Sequence, residues 1–373
     1  MEQPPIEHGT RNGRLVRTRR TLVLVLISLL PLLNGCQVTY LVKSAYNQLS
    51  LLNSRVRIDQ ALNDPKLNEE EKRKLALAME AIEFAEKNLG LKRTENYRTY
   101  VHLDRPYVTY VVNAAYRYEL KPYTWWFPIV GSVPYKGFFS PDEAKTEAES
   151  LSKKGFDTHV RGVSAYSTLG WFSDPLLSSM LRYKDHELVE TVIHETVHAT
   201  IYIKNHVDFN ERLAVFIGQK GTLEFYRSKE GPNGPTIRLI TEEEHDERLF
   251  SEFMSKELKL LEEWYEQRKG KEISEEIRKE RFKEITARFK KEIRPRLKDP
   301  RRYDGFENSE LNNAKLLNYQ LYFDNLDDFE AAFSSLGSDF QKMLEFCKSL
   351  EKAEDPKLEL EKAARENREK EPQ

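Results

Sequence analysis

Cysteine is nearly absent: Cys36 and Cys347 are the only two in 373 residues. So few thiols exclude a disulfide framework and leave stability to a packed core. Neither sign of charge dominates, since 59 Lys and Arg face 61 Asp and Glu for a formal net charge of −2. The broad basic field that gathers nucleic acid is missing, and nucleic-acid partners are excluded on that ground. A long apolar run is missing too. The longest, "TLVLVLISLLPLLNG", is interrupted by Pro31 and falls short of the roughly 20 apolar residues that span a bilayer. A transmembrane anchor is therefore not expected. What the chain does have is 39% apolar and 11% aromatic residues, enough to bury a core in one or two domains.

The N-terminus stands apart. Arg11, Arg14, Arg17, Arg19 and Arg20 precede the apolar run, the order of a secretory signal. The run ends in "LLNGC", which resembles the lipobox of bacterial lipoproteins, with Gly35 before the cut and Cys36 after it. That resemblance implies a signal peptide over residues 1–35, acylation of Cys36 and a lipid-anchored protein of the cell envelope. The body would then face the outside of the cytoplasm, in the periplasm. With Cys36 acylated, Cys347 in "FQKMLEFCKSL" has no thiol partner and is expected as a buried core residue.

After Cys36, "VTYLVKSAYNQLSLL" and "NEEEKRKLALAMEAIEFAEKNLG" carry apolar residues at helical spacing, the second closing at Gly90. The chemistry then shifts to Val, Tyr and Phe in alternation: "RPYVTYVVNAAYRYEL", "VPYKGFF" and "DTHVRGVSAYST" predict strands. Between them Ser140 and Glu143 mark the start of a helix. "WWF" at 125–127 fits a core or a cleft wall. Helices return over Lys184 to Ile203 and from Asn210 onward. Residues 241–294 are dense in Glu, Lys and Arg, with Ile273, Ile277, Phe282, Ile285, Phe289 and Ile293 forming a narrow apolar stripe, which predicts a helical hairpin bent near Gly270. Helix is expected from about Leu311 to Leu350. The fold class is α+β, mostly helical, with a small mixed sheet before the helix of residues 184–203 and a long charged hairpin after it. The boundaries are 36–240 for a core, 241–350 for helices completing it and 351–373 for a disordered tail.

The chemistry concentrates in "VIHETVHATIYIKNHVDFNERLAVFIG". Residues four apart on a helix share a face, so His194 and His198 can aim two imidazole nitrogens at one point. Zinc accepts such a pair together with a carboxylate and keeps one position for water. Glu195, one residue round the helix from His194, can reach that water as a general base. Glu211 is the leading third ligand because it opens the next helix after a short loop, with Asp208 and His206 as rivals. "NExxA" there resembles the third-ligand pattern of the glutamate-type zinc peptidases. Glu190 lies one turn before His194 on the same face, either orienting an imidazole, binding a substrate amine or simply solvated.

Taken together, the lipobox, "NYRTY", "WWFPIVGSVPYKGFF", "AYSTLGWFSDP", "VIHETVHATIYI", "FNERLAVFIG" and "LNNAKLLNYQLYF" resemble a bacterial aminopeptidase lipoprotein family of the HExxH type. The resemblance implies zinc as cofactor, a peptide as substrate, His194, His198 and Glu211 as ligands and Glu195 as base. By analogy with the edge strand of zinc peptidases, Ser167, Gly170 and Trp171 are candidates to hold the substrate backbone. Tyr319 and Tyr322 are candidates to donate a hydrogen bond to the oxyanion, against a plain role in the core. Two other readings stay open: an envelope scaffold whose metal is structural, closed by a fourth ligand such as His206, and a zinc endopeptidase.

Overall fold

The computed structural model describes residues 35–127, 131–165, 173–320 and 326–368. Residues 1–34 of the expected signal peptide lie outside the described residues, as do Ser167, Gly170, Trp171 and Tyr322. The architecture is mostly helical α+β, 63% helix with sheets of two or three strands. Two compact units divide between Asn53 and Ser54.

The first unit is described as one helix, α1 (Gly35–Asn53). Cys36 falls in its first turn. No helix among the described residues is long and apolar enough to cross a membrane.

The second unit begins with β1 (Val56–Arg57), the short α2 (Ile58–Leu62) and α3 (Glu69–Asn88). Asn68 starts α3 with a reciprocal cap: its side chain accepts from the Glu71 N–H at 2.9 Å while Glu71 accepts from the Asn68 N–H at 2.9 Å. At its far end the chain turns at Gly90, whose φ of +74° suits a residue without Cβ. Next come β2 (Thr99–Val101), β3 (Thr109–Tyr116), β4 (Trp125–Phe127), β5 (Gly131–Val133), β6 (Tyr135–Phe138), α4 (Pro141–Lys153), β7 (Phe156–Val163) and β8 (Leu176–Leu177). Ser140 caps α4 by accepting from the Glu143 N–H. In place of one mixed sheet, the strands form a mixed β1-β2-β8 sheet, an antiparallel β6-β3-β7 sheet and the β4-β5 pair. Trp125 of "WWF" is buried and donates its indole N–H to Glu147 at 2.9 Å, whereas Trp126 is exposed.

The helical half follows: α5 (Asp185–Thr200), α6 (Val207–Glu230), α7 (Pro235–Glu266), α8 (Glu275–Arg288), the single turn α9 (Asp304–Glu307), α10 (Asn313–Gln320), α11 (Asp327–Ser335), α12 (Phe340–Ser349) and α13 (Pro356–Arg368). The hairpin of α7 and α8 turns where expected, with Gly270 at φ +77°. Of its predicted stripe, Phe282, Ile285, Phe289 and Ile293 are buried against Phe250 and Phe253, while Ile277 is 50% exposed. Ile277 precedes Phe282 by five residues, about 140° round the helix, and so falls off the buried face, while α8 itself gives way to a π-helical turn at Phe289–Ile293. Arg278 of α8 pairs with the buried Asp157 of β7, and Asp157 also accepts the Asn313 N–H of α10 at 2.9 Å. One carboxylate thus joins hairpin, sheet and α10. The expected disorder after residue 350 is corrected as far as Arg368. Leu360 and Ala364 of α13 are buried, so that segment has an apolar face that a count of its charges hides.

Candidate metal centre

The site is built on the antiparallel pair α5 and α6. Their close approach depends on glycine in α6. A Cβ on Gly218 would come within 3.4 Å of the His194 Cβ and of the Glu190 carbonyl. One on Gly221 would meet Leu89 at 2.6 Å and Ile193 at 3.2 Å. Glu211 and Gly218 are seven residues apart and share a face of α6, so bringing Gly218 against His194 also brings Glu211 over the histidines.

The start of α5 is fixed by charge. Arg73 of α3 donates to both carboxylate oxygens of Asp185 at 2.7 Å each, and this pairing holds the Asp185 carboxyl below its usual range despite partial burial. Further along, Val189, Val192, Ile193 and Val197 are completely buried, which presses the helix into the core and leaves the histidine face toward α6. The loop between α5 and α6 is pinned by Asn210. Its side chain accepts from the Ile203 N–H and donates to the Ile203 carbonyl, both at 2.8 Å. On the other side of Glu211, the buried Arg212 donates to Asp328 of α11 at 2.6 and 2.8 Å and lies over the Phe329 ring. Both neighbours of Glu211 are thus anchored while its own side chain projects.

Three side chains converge as a result. The Nε2 atoms of His194 and His198 are 3.2 Å apart, the Glu211 Oε2 lies 3.6 Å from His194 Nε2, and Oε1 lies 3.5 Å from His198 Nε2. The two rings stand nearly perpendicular, at 83°. His198 is buried, His194 partly so, and the Glu211 side chain is 49% exposed, so the group has a dry floor and an open side. Burial works to raise the Glu211 carboxyl, but hydrogen bonds from His194 and His198 outweigh it and hold the group far below the carboxylate range. For His198, burial works to lower the imidazole, and the Glu211 carboxylate with the charge of Glu195 outweighs it in the upward direction.

The donor set fits a zinc ion. The two Nε2 atoms are 3.2 Å apart and a Glu211 oxygen faces each of them, Oε2 at 3.6 Å and Oε1 at 3.5 Å, so the three side chains surround one point at the spacing of zinc ligands, roughly 3.3 to 3.6 Å. Two imidazole nitrogens and one carboxylate suit its borderline chemistry. Among the described residues this metal-competent group is His194, His198 and Glu211, and the rivals His206 and Asp208 are not in it. Glu195, next to His194 in sequence, buries one carboxylate oxygen. The Nδ1 of His198 is buried with no hydrogen-bond partner among the described residues.

Other sequence candidates fall elsewhere. Glu190 lines a recess with Glu187, Glu243, Glu244, Glu247 and Arg302. Burial, then the charges of Glu247, Glu244 and Glu187, push its carboxyl up to about 8. Its electrostatic neighbours are thus carboxylates, not the histidine pair. Tyr319 sets its ring edge-on to Phe250 and Phe306, 5.5 Å from each, in the hairpin core. That placement fits the plain core role weighed for Tyr319. Asn210 and Arg212 are the positioning residues that sequence reasoning missed. Their signal was two polar residues flanking the ligand on a helix whose next neighbours, Phe209 and Leu213, are apolar.

An α+β body with a His–His–Glu cluster on two antiparallel helices is the architecture that fold and site define. Residues 39–362 match the family described as "Putative aminopeptidase", and the chain belongs to that family. Searches of curated proteins and of solved structures return no match.

Proposed function

We propose that this chain is a zinc-dependent peptidase, an aminopeptidase in keeping with its family, tethered by an acylated Cys36 to a membrane and facing the periplasm. The observation that carries the reading is the convergence of His194, His198 and Glu211, with the two imidazole nitrogens 3.2 Å apart and a Glu211 oxygen within 3.6 Å of each.

His194 and His198 would hold the ion through Nε2, and Glu211 through its carboxylate. Bound there, zinc acidifies a water molecule and polarises the scissile carbonyl. The protein's own part is proton transfer. Glu195 takes the proton from the attacking water and delivers it to the nitrogen of the departing amine, so one carboxylate serves as base and then as acid. The buried floor at His198 keeps bulk water from the inner side, while the exposed side of Glu211 admits substrate.

A structural site would need a fourth protein ligand, and His206, the candidate for that position, is not part of the group. Metal analysis of the purified protein, joined to turnover of free and N-blocked peptides, tests the proposal. About one zinc per chain with cleavage of free peptides is expected. Zinc without turnover on any peptide would sink the peptidase reading, and equal cleavage of blocked peptides would sink the aminopeptidase part.

A further inference from the structure

Helix α1 carries an apolar stripe exposed to water. Val42, Tyr46 and Leu49 recur at i, i+4 and i+7, form one stripe, and are 63%, 72% and 52% exposed. Ser44, Asn47, Gln48 and Leu51 lie on the opposite face of the helix. Lys43 is the only charged residue in Gly35–Asn53. A contiguous apolar stripe that stays in water at this cost marks a binding surface.

The helix begins at the residue proposed to carry the acyl chains, and the present inference rests on that proposal. We propose that the stripe's occupant is the lipid bilayer, with α1 lying flat at the headgroup level and Val42, Tyr46 and Leu49 dipped into it. The anchor at Cys36 confines the start of the helix to the membrane surface, so little freedom remains to be lost when the rest lies down. Acyl chains at the start of the helix and an apolar face along it are attachments to the same surface that reinforce one another. Tyrosine suits the interface because its ring is apolar and its hydroxyl reaches water. Lys43 flanks the stripe and can meet anionic headgroups, and no acidic side chain on the helix opposes them. A protein partner would be expected to meet charged or hydrogen-bonding rim groups around the stripe, and α1 offers Lys43 alone as a charge.

Geometry makes the test decisive. Tyr46 is ten residues beyond Cys36, which is about 15 Å along a helix. An upright α1 would therefore hold residue 46 clear of the lipid tails, and a flat one would hold it among them. The experiment uses the mature acylated chain with Tyr46→Trp in phosphatidylethanolamine and phosphatidylglycerol vesicles, with and without brominated acyl chains. Wild-type protein supplies the background from its four native tryptophans. The added emission should be blue-shifted and quenched by about half or more, while emission added by Ser44→Trp on the opposite face should be unquenched. Adding Val42→Asn and Leu49→Asn should abolish the quenching at residue 46. An acylated protein whose Trp at position 46 is unquenched overturns the inference and leaves the anchor standing. Unquenched emission with self-association in solution overturns it in favour of a second copy of the chain. If mass spectrometry finds no acyl group on Cys36, the anchoring proposal fails, and the flat helix fails with it.

Discussion

Helix α5 carries two His–Glu groups two turns apart, and their fates differ. His186, Glu190, His194 and His198 follow one another at four-residue intervals along one stripe. At the first end, Glu243 of α7 is met by Lys184 at 2.5 Å, His186 at 2.8 Å and Arg302 at 3.0 Å. Burial works to raise the Glu243 carboxyl, but the hydrogen bonds from Lys184 and His186 and the charge of Arg302 outweigh it and hold the group below its usual range. At the other end, Glu211 meets His194 and His198, and no Lys or Arg pairs with it among the described residues. The geometric requirement for a metal is satisfied at both ends, since His186, Glu187 and Glu243 also lie close together. Residue type and proximity do not distinguish the two groups. What distinguishes them is whether the protein supplies the positive charge itself, as it does for Glu243, or leaves a carboxylate and two imidazoles whose natural complement is a cation.

The comparison can be broken most forcefully at the second group. Glu195→Gln should retain zinc and lower turnover by about 10²- to 10⁴-fold, checked by metal analysis beside steady-state kinetics; undiminished turnover would refute the base. His194→Ala or Glu211→Ala should lose bound zinc and activity together, whereas His186→Ala should keep the wild-type zinc content. Should His186→Ala lose the metal instead, the two groups have been assigned the wrong way round.

Smaller effects sharpen it. Glu243→Ala leaves Arg302 and Lys184 without their carboxylate and should cost roughly 2 to 3 kcal/mol in chemical denaturation, with zinc content unaltered. Gly221→Val forces atoms against Leu89 and Ile193 at the α5–α6 contact and should cost about 1 to 3 kcal/mol. Because the same contact sets the height of Glu211 over the histidines, zinc affinity should fall as well, which a titration against a chelator would show.

The gentlest test concerns Glu190, which lines the recess at the first group. The fold keeps Glu190 protonated up to about 8, whereas the unfolded chain releases that proton in the ordinary carboxylate range. The folded state thus binds the extra proton between those limits, and its stability declines as pH rises through them. Glu190→Gln should flatten that decline, seen in melting temperatures from pH 5 to pH 8. An unchanged slope would mean that Glu190 ionises normally.

Much of the fold was legible because local signals were strong. The strand-forming residues of "YVVNAAY" and the capping pair Ser140 and Glu143 act over a few residues, and the structure has a strand and a capped helix there. The tail beyond residue 355 was misread because its charges outnumber its apolar residues, although Leu360 and Ala364 at one helical spacing suffice to dock it. For Tyr319 the sequence names a helical position without saying what its ring meets, which is Phe250 and Phe306.

By itself the sequence determined that His194 and His198 share a helical face with Glu195 beside them, because four-residue spacing is a property of the helix alone. It also determined the paucity of thiols and the turn at Gly270. Only tertiary structure could decide that Glu211, and not Asp208 or His206, completes the cluster. That choice depends on how closely α6 can approach α5, which the glycines at 218 and 221 allow, and on Asn210 and Arg212 fixing the chain on either side. Contacts between helices have no fixed spacing along a chain, so no periodicity announces them.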